Sequence, residues 1–210
     1  MISSNKELFY KIHPKNELHD FENRKKCLRY LRIAGYQVGT GFMINLPGQT
    51  YTDMANDILF LKKNDIDMIG MGPYIPHLDT PMGQEIGKFN KKQKDDAFTQ
   101  GLKMIALARI TLKDVNIAAT TALQALNSKG RELGVKAGAN IIMPNVTETE
   151  YRPNYQLYED KPGINENSET ARKALDKSIA EIGEKIGYNE WGDSKHFAKR
   201  TQSNNSPKST

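Results

Sequence analysis

The sequence predicts an α/β fold in which short parallel strands are covered by helices. Apolar segments at 36–46, 67–74, 115–121 and 139–143 alternate with amphipathic helical stretches, a pattern that places strands in a parallel sheet under helices. The first two strands each run into a loop rich in Gly and Pro, LPGQT and then PYIPHLDTP, and ligands usually sit where the strands of such units end. Four strands at this spacing make half of an eight-stranded barrel, which takes about 250 residues, whereas the chain has 210. An open half would expose an inner face carrying residues such as Val38, Phe42, Ile69 and Ile142. Either a partner supplies the other half, then, or the chain is a truncated product.

The elements follow in order. Residues 1–20 are mixed, and His13-Pro14 breaks any helix there. A helix begins at Phe21 with Phe21, Cys27, Leu28 and Leu31 on its apolar side and is stopped by Gly35, so Cys27 is expected to be buried and inert. Tyr36 to Leu46 is the first strand. Thr50 caps the next helix, with Asp53 in a capping-box arrangement and Met54, Ile58 and Leu61 as its buried stripe. Asp67 to Tyr74 is the second strand, and the polar run GQEIGKFNKKQKDD reads as a solvated loop. A helix over Ala97–Lys113, a strand at Val115–Thr121 and a helix over Ala122–Ala137 broken near Asn127–Gly130 come next. Ala139–Met143 is the fourth strand, closed by Pro144. A turn region from Thr147 and an amphipathic helix from Glu169 to Ile186 complete a single domain over 1–187.

Composition is that of a globular protein, 38% hydrophobic and 26% charged. No run approaches the roughly 18 apolar residues of a membrane span, and the N-terminus lacks a signal-peptide core, so a cytoplasmic protein with no membrane partner is expected. The single cysteine, Cys27, excludes an intrachain disulfide and any metal site built on three or four thiolates of this chain. The net charge of +5 is concentrated at the C-terminus, where Lys195, Lys199, Arg200 and Lys208 face no acid. Residues 188–210 therefore read as a basic, disordered polar tail, solvated or else able to touch a polyanion. The body is near neutral, and no nucleic-acid partner is expected.

Few local motifs carry chemistry. The glycines of GTG at 39–41 lie inside a strand and lack the third glycine of a dinucleotide fingerprint, since Ile44 stands in its place. Gly48 of LPGQT can take φ > 0 and admit a ligand to the backbone, although a plain β-to-α turn needs the same residue. His77 and Asp79 offer at most two ligands, so no metal is assigned. Thr120 and Thr121 end the third strand with two hydroxyls and local backbone N–H groups, suited to a small anion or carboxylate or simply to a strand. Tyr155 and Tyr158 sit three apart and can face a cavity together or pack on a rim. The GREL stretch at 130–133 carries no special signal.

The blocks FENRKKCL, GYQVGTGFMINLPGQT, DILFLKKNDIDMIGMGPYIPHLDTP, IAATTAL, GREL-x4-GANIIMPN and YRPNYQLY, in that order, resemble the C-terminal half of the HydE family. These are radical S-adenosylmethionine (SAM) maturases of the iron-iron hydrogenase cofactor, relatives of biotin synthase and methylornithine synthase. The likeness runs from about Asn5 to Gly163, and IAATTAL with YQLY favours HydE over its relatives. It implies a TIM-type (βα)8 barrel, with the region of about 70–165 of the biotin and thiamin synthesis-associated type. In that barrel a [4Fe-4S] cluster reduces SAM to a 5′-deoxyadenosyl radical, which acts on a small cysteine-bound iron carbonyl-cyanide precursor. By resemblance Arg24 holds the SAM carboxylate, Met68 lines the SAM site, Thr120 and Thr121 bind an anion or substrate carboxylate, and Tyr155 and Tyr158 cover the substrate cavity. The family's CxxxCxxC motif has no counterpart here, and MISS stands where an acidic SAM-contacting segment belongs. GINENSETARKAL stands in place of the second cysteine trio of some members, and Leu78 replaces a proline. The resemblance thus implies a chain that is inactive without its missing N-terminal half. Two alternatives stand beside it: a non-catalytic half-barrel that docks or assembles, and a biotin- or methylornithine-synthase-type enzyme.

Overall fold

The computed structural model describes residues 1–144, 147–155 and 168–205. Among these, β1 (Gly39–Ile44), β2 (Met68–Pro73), β3 (Asn116–Ala119) and β4 (Ile141–Ile142) form one sheet in sequence order, every neighbouring pair parallel. The register sets Gly41 beside Gly70 and Gly70 beside Ala118. The helices between the strands are α3 (Tyr51–Lys63), α4 (Pro81–Ile86), α5 (Lys91–Leu112), α6 (Thr121–Leu126) and α7 (Gly130–Lys136). Before β1 stand α1 (Lys6–Ile12) and α2 (Phe21–Ile33); after β4 come a 3₁₀ turn over Thr149–Tyr155, then α8 (Ser168–Glu181) and α9 (Lys195–Asn205).

Side chains alternate along a strand, so one face of the sheet collects Phe42, Ile44, Ile69, Met71, Ile117 and Ala119. These bury against Met54, Ile58 and Leu61 of α3 and Met104, Ile105 and Ala108 of α5. Each such aliphatic side chain contributes about 1.5–3 kcal/mol by leaving water. This reverses the expectation for the inner face, because Val38, Phe42 and Ile69 are buried under helices and Ile142 packs partly on the same core. The open face carries Gly39, Gly41, Met43, Met68, Gly70 and Gly72 instead, all half-buried or exposed.

Five local expectations are corrected. Residues 6–12 do form a helix, started by the Asn5 side chain, which accepts from the N–H groups of Glu7 and Leu8, and ended at His13 before the proline. The polar run after Gly83 is largely helical, since Thr80 caps α4 and a reciprocal Asn90–Gln93 capping box starts α5 well before Ala97. Cys27 is exposed, because Phe21 and Leu28 alone define the buried stripe of α2 and residue 27 falls on its flank. Finally, the C-terminal segment is helical over Lys195–Asn205 and docks on the N-terminal ends of the strands through His196 and Arg200. α8 stops at Glu181, short of Ile186. Gly183 at φ 81 permits a left-handed cap in which the Glu184 N–H returns to the Ile179 carbonyl. Among the described residues no helix is long and apolar enough to cross a membrane.

Candidate functional site

The C-terminal ends of the strands converge where the loops expected to meet a ligand leave the sheet. After β1, Leu46–Gln49 closes a turn with the Gln49 N–H on the Leu46 carbonyl (2.9 Å), proline second and Gly48 at φ 80 third. That is the residue pattern of a type II turn. The Gln49 side chain holds the turn from inside. It accepts from the Leu46 N–H at 3.1 Å and donates to the Met43 carbonyl at 3.2 Å and the Asp57 carboxylate at 3.1 Å.

Asp57 is the buried charge of this corner. It sits in the middle of α3, 1% exposed, and accepts from the Ser4 N–H at 2.7 Å and the Ser4 hydroxyl. Burial pushes its carboxyl up to about 6 despite the opposing hydrogen bonds from Ser4. It thereby fastens residues 1–4, which run beside β1: the Met1 amino group reaches Thr40 Oγ1 at 3.1 Å, and the Ile2 carbonyl takes the Met43 N–H at 3.0 Å.

After β2, the loop to α4 is equally well tied. Thr80 Oγ1 donates to the His77 carbonyl at 2.8 Å and accepts from the Gly83 N–H at 3.1 Å. A Cβ at Gly83 would lie 1.9 Å from that carbonyl, so only glycine fits. His77 and Asp79 stand 3.8 Å apart with Asp79 in solvent, and among the described residues no group of His, Cys, Asp and Glu is arranged to hold a metal ion. Tyr74 packs with Leu8 and Leu46 in a second, smaller apolar cluster, where its buried hydroxyl has no partner.

After β3, Thr120 and Thr121 open α6. Thr120 Oγ1 is buried without a hydrogen-bond partner, and it faces the sheet beside Gly72, whose missing Cβ would lie 2.8 Å from it. Thr121 Oγ1 accepts from Arg131 at 3.2 Å. Arg131 reaches it because Gly130 lets α7 pack on α6; a Cβ there would come within 2.1 Å of the Leu123 carbonyl. Two hydroxyls and a guanidinium at one strand end can take a carboxylate or small anion.

The remaining residues implied by resemblance are more scattered. Met68 is on the open face but at the first position of β2, four residues before Gly72, or about 13 Å at the usual rise of a strand. Arg24 is exposed on α2, and its charge helps to lower the Met1 amino group, after burial, which is the larger cause. Tyr155 ends the 3₁₀ turn after β4, and Tyr158 lies outside the described residues. The structure therefore joins Thr120, Thr121 and Gly72 and adds Arg131, which the sequence did not single out. Gly130 immediately before it was the available signal, although the turn at Asn127–Gly130 already accounts for a glycine there.

An iron-sulfur cluster does not fit this chain. Such clusters are held by thiolates, and the one cysteine points into solvent from an outer helix. SAM is a different case: the glycines of the open face leave the sheet bare, and the position of a Gly70 Cβ meets nothing within 4 Å.

No protein-family model matches. The [FeFe] hydrogenase maturase subunit HydE of Thermotoga maritima is 45% identical over 193 residues, which are 92% of this chain and 52% of that protein. A biotin synthase of Cyanothece is 27% identical over 60% of this chain and 31% of its own length. A 3-methylornithine synthase of Methanosarcina acetivorans is 25% identical over 64% and 36%. The crystal structure of methylornithine synthase PylB superposes with a TM-score of 0.66 at 20% identity, covering 95% of this chain and 52% of that one. The chain spans about half the length of HydE and of PylB, and about a third of the biotin synthase and 3-methylornithine synthase it matches in sequence. The chain is thus similar to HydE over about half of that protein, and its four parallel strands match a half-barrel of the PylB fold.

Proposed function

We propose that this chain forms the SAM- and substrate-binding half of a HydE-like enzyme of hydrogenase maturation, and that the cluster-bearing half is another polypeptide segment. The observation that carries the reading is the 45% identity to HydE across 92% of the chain, together with a glycine-lined sheet face that stays half-buried or exposed among the described residues. When bound, SAM supplies the 5′-deoxyadenosyl group; the reductive step is not assigned to residues of this chain. Arg24 would pair with the SAM carboxylate and Met68 would pack against the open-face ligand. Thr120, Thr121 and Arg131 would hold the carboxylate of a small cysteine-bound iron carbonyl-cyanide precursor, with Tyr155 and Tyr158 over it. The chain alone would be catalytically silent.

The test is complementation. The purified chain is mixed anaerobically with a separately produced cysteine-bearing N-terminal half of the Thermotoga maritima protein, and 5′-deoxyadenosine is measured. The expected result is release from the mixture only. Release from this chain alone, or a stable complex that cleaves no SAM, would overturn the reading; the second outcome would favour a non-catalytic assembly module.

A further inference from the structure

The C-terminal segment crosses the N-terminal ends of the strands, the floor opposite the candidate site, and it is fastened there by an unusual histidine. Asp67, just before β2, is fully buried, and its carboxylate accepts from the Val38 N–H at 2.8 Å, from His196 Nδ1 at 2.8 Å and from the Arg200 guanidinium. The other ring nitrogen, His196 Nε2, stands 2.9 Å from Asp65 Oδ1. Asp65 also faces Arg32 of α2 at 3.6 Å and Arg200 Nε at 3.9 Å. On the opposite flank the His196 N–H donates to the Asp114 carbonyl at 3.1 Å, Lys199 pairs with the Asp114 carboxylate, and Lys195 adds its charge there. Further polar contacts hold the segment. Asn116 donates to the Gly192 carbonyl at 2.8 Å, the Ser194 N–H donates to Gln37 at 2.9 Å, and Gln37 donates to Asp193 at 2.9 Å.

A neutral imidazole carries one N–H. With a carboxylate oxygen at each nitrogen, a neutral ring would set one lone pair against another at under about 3 Å, and only the imidazolium gives both contacts a proton. The consequence is local, because among the described residues none of α9 belongs to the main apolar cluster that holds β1, β2 and β3. Segments held by polar contacts open before segments held by a core.

We propose that residues 192–205 are a proton-gated strap across the floor of the half-barrel. With His196 as imidazolium the strap is locked to Asp65 and Asp67. With the neutral ring one of these contacts turns repulsive, and the strap loosens from the floor end of the open face, where Asn116 and Met68 lie.

Hydrogen exchange of the full chain, corrected for intrinsic rates, tests this at pH 5.5 and pH 8.5. The protection of the amides of 195–202 should fall about tenfold or more at the higher pH, while the β2 amides change far less; one-proton linkage gives a slope of up to tenfold per pH unit. His196→Gln should leave the strap weakly protected at both pH values. Asp65→Asn removes the carboxylate from Nε2, so a neutral ring with its proton on Nδ1 can still hold Asp67, and the strap should stay protected with little pH dependence. A wild-type strap equally protected at both pH values, or an Asp65→Asn strap as pH-dependent as the wild type, would overturn the proposal.

Discussion

Replacing Asp57 by asparagine should stabilise the protein at neutral pH and lose that advantage in acid. The carboxyl rises from 3.8 to about 6 on folding, so the folded state prefers it protonated. A shift of about 2 units corresponds to about 3 kcal/mol at 1.36 kcal/mol per unit. The sign follows from proton binding. Between pH 4 and pH 6 the folded chain binds the proton and the unfolded chain does not, so the contribution to stability declines across that window as pH rises. Below pH 4 there is no penalty, and above pH 6 it is complete. Asparagine carries no charge and keeps an oxygen for the two hydrogen bonds from Ser4, but its amide opposes the Gln49 amide across the present 3.1 Å contact. A clash of two donors offsets about 1–2 kcal/mol. The net expectation at pH 8 is a gain of about 1–2 kcal/mol. Urea denaturation of both proteins at pH 4, 6 and 8 measures it, and the difference between them isolates Asp57 from other titrating groups. A difference that does not change with pH, or one that favours the wild type more as pH rises, would refute the burial argument.

Other outcomes follow from single contacts. Thr120→Val removes a hydroxyl with no partner in the ligand-free protein, so it should leave the thermal midpoint unchanged or slightly raised; calorimetric titration with SAM-group substrates or small carboxylates should show weakened carboxylate binding. Gly41→Ala would drive a Cβ to 1.7 Å from the Gly70 carbonyl and should destabilise the sheet by about 3 kcal/mol or more, read by the urea midpoint. Cys27 is exposed, so a thiol reagent should label it stoichiometrically in the folded protein; labelling that waits for denaturant would place it in the core after all.

The fold was legible where a residue's role is local and periodic. The capping pair Thr50 and Asp53, the buried stripe of Met54, Ile58 and Leu61 and the break before Gly130 all stand as expected, because caps and helical periods are written in neighbouring residues. Which face of the sheet the helices cover was less legible. Phe42 and Ile69 are equally apolar whichever side is covered, and the informative residues were the glycines opposite them. The C-terminal helix was hidden for a related reason. His196, Lys199 and Arg200 form a basic polar stretch by composition, and their acidic partners Asp65, Asp67 and Asp114 lie 85 to 135 residues away in sequence. At the candidate site Thr120 and Thr121 could be proposed from their place at a strand end. Arg131 could not, because only the close packing of α6 and α7 through Gly130 brings it to Thr121.

The central claim is that this half-barrel holds the ligand-binding face of a HydE-like enzyme without the thiolates for its cluster. Anaerobic reconstitution of the purified chain with iron and sulfide, followed by iron quantification and absorbance after desalting, tests that most directly. The account predicts that no cluster is retained and that adding SAM and a reductant produces no 5′-deoxyadenosine. A stable [4Fe-4S] chromophore on this chain, with SAM cleavage, would contradict it.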